Sequence, residues 1–239
     1  IGVTVVEMMP RLLPRQLDVE GAAVLQGLLE QRGLEIITGD VAAAIQGQSS
    51  VERVQLKGGR VLEASLVLIS AGVRANTDLA KKAGLSCDRG IVVDERMLTS
   101  AEDVYAIGDC AEFAGRVWGI IPAALAQARI AAAQVLGETD SLYRDIVPST
   151  TLKVTGIDLT SAGDVNPEDA AAQHLRHTDA QAGLYKKLVL REGRIVGAIV
   201  LGERKDVRTL DQLMSRGVDV SAHADELLEP GFDLASLLK

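Results

Sequence analysis

Aromatic residues are scarce in this 239-residue chain: one Trp, two Phe and three Tyr, 3% in all. Any core must therefore be aliphatic and rich in alanine. Cysteine is scarcer still, with only Cys87 and Cys110, far apart in sequence. That excludes a Cys-x-x-Cys motif within the chain. With only His174, His177 and His223 as further soft ligands, it also excludes zinc-type Cys/His spacing, so no metal site is expected. The histidines fit no ligand or catalytic pattern and read as ordinary surface or core residues. A basic excess is lacking too. The net charge is −8, which argues against nucleic acid, since phosphate binding needs a basic footprint. No apolar run approaches the roughly 18 residues of a membrane span, and no secretory-leader pattern is visible. Two unpaired cysteines suit a reducing compartment, so the expected location is cytoplasmic. Finally, no Gly-x-Gly-x-x-Gly occurs anywhere in the chain.

What is present is globular material, 47% hydrophobic and 24% charged, enough for one large domain or two ordinary ones. The sequence begins without Met, at Ile1-Gly2-Val3, inside what reads as a strand. The expectation is a fragment cut from a longer chain.

Val3 to Val6 is a β-branched run ending in Glu7. Residues 8–16, with two prolines and two arginines, should be irregular. Asp18 can cap a helix with Glu20 in its first turn, and Ala22, Leu25, Leu28 and Leu29 fall on one face. Gly33 is placed to end it. Short strands are expected over 35–38, 41–45, 51–56 and 60–62, with Lys57-Gly58-Gly59 as a hairpin turn. Leu66 to Ile69 reads as a buried parallel strand, followed by Ser70-Ala71-Gly72. A short helix after Thr77 closes at Gly84, and 90–94 is a brief strand. A long alanine-rich helix runs from about Pro122 to Leu136, with proline near its start and Gly137 past its end. The domain boundary falls near Pro148. Beyond it, strands are expected over 152–155, 159–162, 173–178, 185–190 and 195–201. A turn at 191–194, a helix over 207–214 and a polar tail complete a separate α+β domain.

Four places carry candidate chemistry. Val104 to Ile107 reads as a buried strand delivering Asp109, through Gly108, to a ligand at its carboxyl end. An ordinary turn aspartate explains the same residues. Glu7 stands where dinucleotide-binding βαβ units place the acid that binds the adenosine ribose, and an ordinary strand-end glutamate fits as well. Ala71-Gly72 lacks side-chain bulk, either for a passing cofactor or for packing. The helix starting near Pro122 carries positive partial charge at its N-terminus, suited to an electron-rich ring, although core packing alone explains its alanines. Lys153, between apolar neighbours, reads as a snorkelling surface lysine. Cys110 reads as a small buried residue.

The order of the motifs is more specific than any one of them. Val5-Val6-Glu7 to Leu17-Asp18, Ser70-Ala71-Gly72-Val73-Arg74-Ala75-Asn76, Arg89 to Asp94, Val104-Tyr105-Ala106-Ile107-Gly108-Asp109-Cys110-Ala111-Glu112 and Leu152 to Asp164 follow one another. Together they resemble the FAD-dependent pyridine nucleotide oxidoreductases, the two-dinucleotide-binding flavoproteins. Within that family they look most like the flavin part of NAD(P)H nitrite reductase large subunits and rubredoxin reductases. The resemblance is specific to about Asp164 and looser beyond.

The resemblance implies an α/β fold: part of a Rossmann-like two-dinucleotide-binding flavoprotein plus a C-terminal α+β domain. The implied division is 1–72 from the NAD(P)H-binding domain, 73–147 from the FAD-binding domain, and 148–239 an interface domain. It implies FAD and NAD(P)H as cofactors. Glu7 would hold the adenosine ribose, its acidity favouring NADH. Gly72 would lie where one domain returns to the other, and Arg74 would neighbour the flavin edge. Gly108 and Asp109 would meet the ribityl chain of FAD, and Pro122 would open the helix aimed at the flavin ring. No residue of the chain is implied as catalytic acid, base or nucleophile. The implied activity takes hydride from NADH onto FAD and passes electrons to a protein acceptor, and it allows a homodimer. A disulfide or coenzyme A-disulfide reductase is the alternative, and a non-catalytic dimerisation module a third reading. Both glycine fingerprints of the family are missing. The chain alone is therefore expected to be inactive and to bind FAD weakly or not at all.

Overall fold

Strand β1 (Val3–Glu7) and strand β2 (Leu34–Thr38) pair in parallel, with Val3 opposite Leu34 and Glu7 opposite Thr38. Parallel neighbours need a long crossover, supplied by helix α1 (Val19–Gln31). As expected, Asp18 caps α1, its carboxylate accepting from the Gly21 N–H at 3.0 Å. Gly33, in the left-handed region at φ +83, ends it. The buried face is Gly21, Ala22, Leu25 and Leu29. The computed structural model describes residues 1–144, 149–154 and 156–239. The boundary expected at Pro148, the strand end at Thr155 and the side chain of Lys153 lie outside the described residues.

Strands β3 (Ala42–Gln46), β4 (Arg53–Leu56) and β5 (Val61–Glu63) form an antiparallel meander. Its second turn is Lys57-Gly58-Gly59, with Gly59 at φ +92. The buried parallel strand expected over Leu66 to Ile69 is not there. The segment belongs to no ladder, and Leu66, Leu68 and Ile69 are 84%, 88% and 73% exposed. A parallel strand is buried only between neighbours on both sides. No described strand lies alongside this one.

By their contacts the residues form two units, 1–67 with 147–239, and 68–146. The second contains helix α2 (Asp78–Lys82), the parallel pair β6 (Ile91–Val93) and β7 (Ala111–Phe113), and helix α3 (Ile121–Val135). Val93, Met97, Ala106, Ala111, Ala131 and Tyr143 form its core. The run Val104 to Ile107 is not the expected buried strand. It makes one isolated bridge, Tyr105 to Leu98, and Val104 and Ile107 are exposed. Asp103, at φ +61, turns the chain so that Thr99 N–H donates to Val104 O and Ala106 N–H to Met97 O. This hairpin-like reversal uses up the backbone groups that a longer ladder would need.

The first unit is completed by β8 (Ser149–Val154), β9 (Ile157–Gly163), β10 (Gln173–Asp179), β11 (Leu184–Arg191), β12 (Arg194–Leu201) and helix α4 (Val207–Arg216). The strands form one antiparallel sheet in the order β10-β11-β12-β9-β8. Glu192 and Gly193 both have positive φ, +50 and +71, the two-residue turn that matches strand twist. Both sheet faces are covered. Leu25 and Leu29 of α1, with Leu12 and Leu17 before it, pack on Leu159, Tyr185, Ile199 and Leu201. Leu210 and Leu213 of α4 pack on Leu188, Leu190 and Val200 opposite. The expected polar tail is also corrected: Val220, Leu227 and Leu234 are buried on this second face. Their irregular spacing carries no period, because short turns rather than a helix bring each one inward.

Candidate cofactor-binding site

In the second unit, five of the six expected residues gather around the start of α3. Gly108 to Cys110 form a single 3-10 turn leading into β7. Asp109 therefore stands before a strand rather than at the end of one. Gly108 lies at φ +77, and its N–H donates to Gln127 Oε1 at 2.7 Å. A Cβ at Gly108 would lie 3.8 Å from that of Ala124, in the first turns of α3. The turn and the helix start are thus neighbours. Asp109 is exposed, and its carboxylate has no partner among the described residues. Cys110 is half-buried rather than buried, its thiol directed at Ile107 O.

The N-cap of α3 is Ile120, which offers no side-chain acceptor, and Pro122 sits in the exposed first turn. The helix start keeps its positive partial charge uncompensated by any acid in the first turn. The segment before it, Gly119 at φ +60, has its Cβ position 3.6 Å from Val73 Cγ2. This brings Gly72 (φ +79) and Arg74, both exposed, to the same neighbourhood. The arrangement offers a free carboxylate for ligand hydroxyls and backbone N–H groups for an electron-rich group.

Sequence reasoning missed Gln127. It is 2% exposed, yet polar, on the face of α3 shared with Ala123, Ala131 and Gln134. A polar residue at a core-facing position was the available signal.

Glu7 lies in the first unit, at the carboxyl ends of β1 and β2, where α/β sheets bind ligands. It is half-buried. Oε1 accepts from the Met9 N–H at 2.8 Å, and the other oxygen has no partner among the described residues. A shallow hollow lined by Met8, Gly39, Asp40 and Lys57 adjoins it.

A second polar group in this unit was not foreseen either. Lys187, in mid-β11, is only 1% exposed. Its Nζ lies 3.0 Å from Asp18 Oδ2 and 3.4 Å from Asn166 Oδ1. The Tyr185 hydroxyl donates to the same Asp18 oxygen at 2.7 Å, and Arg176 approaches it at 3.6 Å. Burial pushes the Asp18 carboxyl up, but Gly21 N–H, Tyr185 and Lys187 outweigh it and hold the group below its ordinary value. Burial, and then Asp18, push the Tyr185 phenol far upward. Burial and the cations Lys187 and Arg176 push neighbouring His174 down. Among the described residues no trio of His, Cys, Asp or Glu is placed to hold a metal, and no helix is long and apolar enough to cross a membrane.

Comparison with known proteins gives the family. The family model described as pyridine nucleotide-disulphide oxidoreductase matches residues 2–134. That of the rubredoxin NAD+ reductase C-terminal domain matches residues 148–218. Nitrite reductase [NAD(P)H] of Bacillus subtilis (strain 168) is 36% identical over 92% of this chain and 27% of its own length. NADH-rubredoxin oxidoreductase of Clostridium acetobutylicum is 34% identical over 90% of this chain and 51% of its own length. The crystal structure of the ferredoxin reductase for the CYP199A2 system from Rhodopseudomonas palustris superposes with a TM-score of 0.81 at 26% identity. That match covers 99% of this chain and 58% of the other. The chain thus spans about a quarter to somewhat over half the length of these relatives.

Proposed function

The chain belongs to the pyridine nucleotide-disulphide oxidoreductase family, and we propose that it serves an enzyme passing electrons from NADH through FAD to a protein redox centre, of the nitrite reductase or rubredoxin reductase kind. The family implies FAD and NAD(P)H; the preference for NADH and the identity of the acceptor are the proposal. FAD, when bound, supplies the hydride acceptance and onward electron transfer. The chain's own residues bind and orient.

One observation carries the reading: an unpartnered Asp109 carboxylate beside the uncapped start of α3. The residues fit the group. Ribityl hydroxyls would donate to Asp109. Gly108, held by Gln127, keeps the turn in a conformation that few side chains tolerate. The N-terminal N–H groups of α3 would face the electron-rich end of the ring, and Arg74 would stand at its edge. Glu7 would accept from the adenosine ribose of NADH. Functionally we divide the chain into a nicotinamide-domain part (1–72), a flavin-domain part (73–147) and an interface part (148–239), acting in the cytoplasm.

The test is Asp109→Ala in the intact protein, with Asp109→Asn as the milder variant. FAD per chain and NADH-driven flavin bleaching should both fall with Asp109→Ala and recover in part with Asp109→Asn. Full FAD occupancy in Asp109→Ala would remove the basis of the reading.

A further inference from the structure

Residues 8–17, between Glu7 and the cap of α1, form no helix or strand, yet both their ends are fixed. At the first end, Met9 N–H holds Glu7 Oε1, and Met9 O accepts from Gly39 N–H. The last end is fixed from the C-terminal sheet and from its β9–β10 connection, which carries Asn166. Asn166 Nδ2 donates to Leu17 O at 3.2 Å, and Tyr185 and Lys187 hold Asp18 from β11. Leu12 and Leu17 are buried against that same sheet. Leu13, between them, sits at φ +47, a conformation leucine keeps only when its surroundings impose it. The segment's own backbone offers just two bonds, Gln16 and Leu17 N–H to Leu13 O. Within the segment the Arg11 guanidinium adds bonds to Pro14 O at 3.2 Å and to Leu17 O at 3.3 Å. The Leu17 carbonyl is thus shared between Arg11 and a group 149 residues later in sequence, Asn166, which ties the local turn to the C-terminal sheet.

We propose that Asn166, Tyr185 and Lys187 are positioning residues for nucleotide binding: the C-terminal sheet fixes the path of residues 8–17 and so places the Glu7 carboxylate against the adenosine ribose. This rests on the reading of Glu7 given above. It gives the C-terminal sheet a part in recognising NADH that is distinct from any role as an interface.

The experiment uses the intact protein and ADP-ribose as the probe, with NADH kinetics beside it. Asn166→Ala and Lys187→Met should each weaken ADP-ribose binding and raise the KM for NADH, by less than Glu7→Ala does, because they act only through the placement of Glu7. The flavin-reduction rate at saturating NADH should stay unchanged, and amide exchange at Met9 and Leu17 should quicken. Should Lys187→Met fail to fold, the neutral pair Asp18→Asn/Lys187→Met and the milder Tyr185→Phe take its place. A Glu7→Ala arm separates two failures. If Glu7→Ala weakens ADP-ribose binding while the Asn166 and Lys187 variants lose only melting temperature, this inference is overturned and the ribose reading survives. If Glu7→Ala leaves ADP-ribose binding intact, the ribose reading fails and this inference fails with it.

Discussion

The Tyr185 hydroxyl donates to Asp18 Oδ2 at 2.7 Å across 167 residues of chain. The bond joins the N-cap of a crossover helix to the second strand of a sheet whose strands come much later. Removing only the hydroxyl, in Tyr185→Phe, leaves the ring packing and the Lys187 pair in place. It takes one donor from a buried carboxylate, which should cost about 2 kcal/mol. Urea denaturation measures this, and a loss under about 0.5 kcal/mol, the range of an ordinary surface change, would contradict it.

The same carboxyl predicts an acid limb in stability. Asp18 is held below its ordinary value in the folded chain. The unfolded chain therefore takes up the proton first as pH drops. The stability Asp18 contributes is complete above the ordinary carboxyl value and is lost as pH falls through the lower folded value. Unfolding free energy should thus decline below about pH 4. Glu35, Asp169 and Asp219 are also lowered and act in the same direction, but all are exposed and count for little. Asp18→Asn should flatten the limb. An unchanged slope in that variant would mean that other carboxyls set the limb.

Gln127 predicts a coupled defect. In Gln127→Leu the side chain still packs, but the Gly108 N–H loses its acceptor. The expected cost is about 1–3 kcal/mol for the stranded donor. The Asp109 turn should loosen with it, so FAD retention in the intact protein should fall more than in a distant variant of equal melting temperature. Equal retention in the two would separate Gln127 from the site.

The elements that were legible in the sequence are those whose signals are local. The Asp18 cap, the Gly33 stop, the Glu192-Gly193 turn and the proline at the start of α3 each report a backbone need met within a few residues. The Asp109 turn was legible as a candidate, though not its true position before β7. What escaped depends on distant partners. Leu66 to Ile69 has the composition of a buried strand, but burial is decided by neighbours that a four-residue run does not encode. Lys187 stands in Tyr185-Lys186-Lys187-Leu188 beside an identical lysine, and only the sheet's pleat decides that one charge is buried and the other is not. Lys186, on the opposite face, meets Glu203 and Asp206 instead.

The absence of both glycine fingerprints from these 239 residues predicts the behaviour of the chain alone. Pyrophosphate is held by a glycine loop opening a helix. On the proposed reading, Asp109 and α3 would address only the ribityl and ring parts of FAD. Titrating the purified chain into FAD should give little fluorescence quenching. Tight uptake of one FAD per chain would mean that the described residues hold the phosphates in some other way.

Glu7 predicts nucleotide choice. Its free carboxylate oxygen, at the carboxyl end of a parallel strand, is an acceptor suited to a ribose hydroxyl and repels a phosphate at the same position. A nucleotide carrying that phosphate brings two negative groups together in a half-buried setting. The intact protein should therefore have a much lower KM for NADH than for NADPH. Glu7→Ala should lose ribose hydrogen bonding, raising the NADH KM by about tenfold, the equivalent of a single hydrogen bond of about 1.4 kcal/mol. The NADPH KM should fall or hold, because the repulsion is gone, so the ratio between the two should narrow from both sides. A structural role alone would raise both KM values together. Lys57 lines the adjoining hollow and offers a cation to an extra phosphate there, and Glu7→Ala/Lys57→Ala should lose whatever NADPH use the single variant gains.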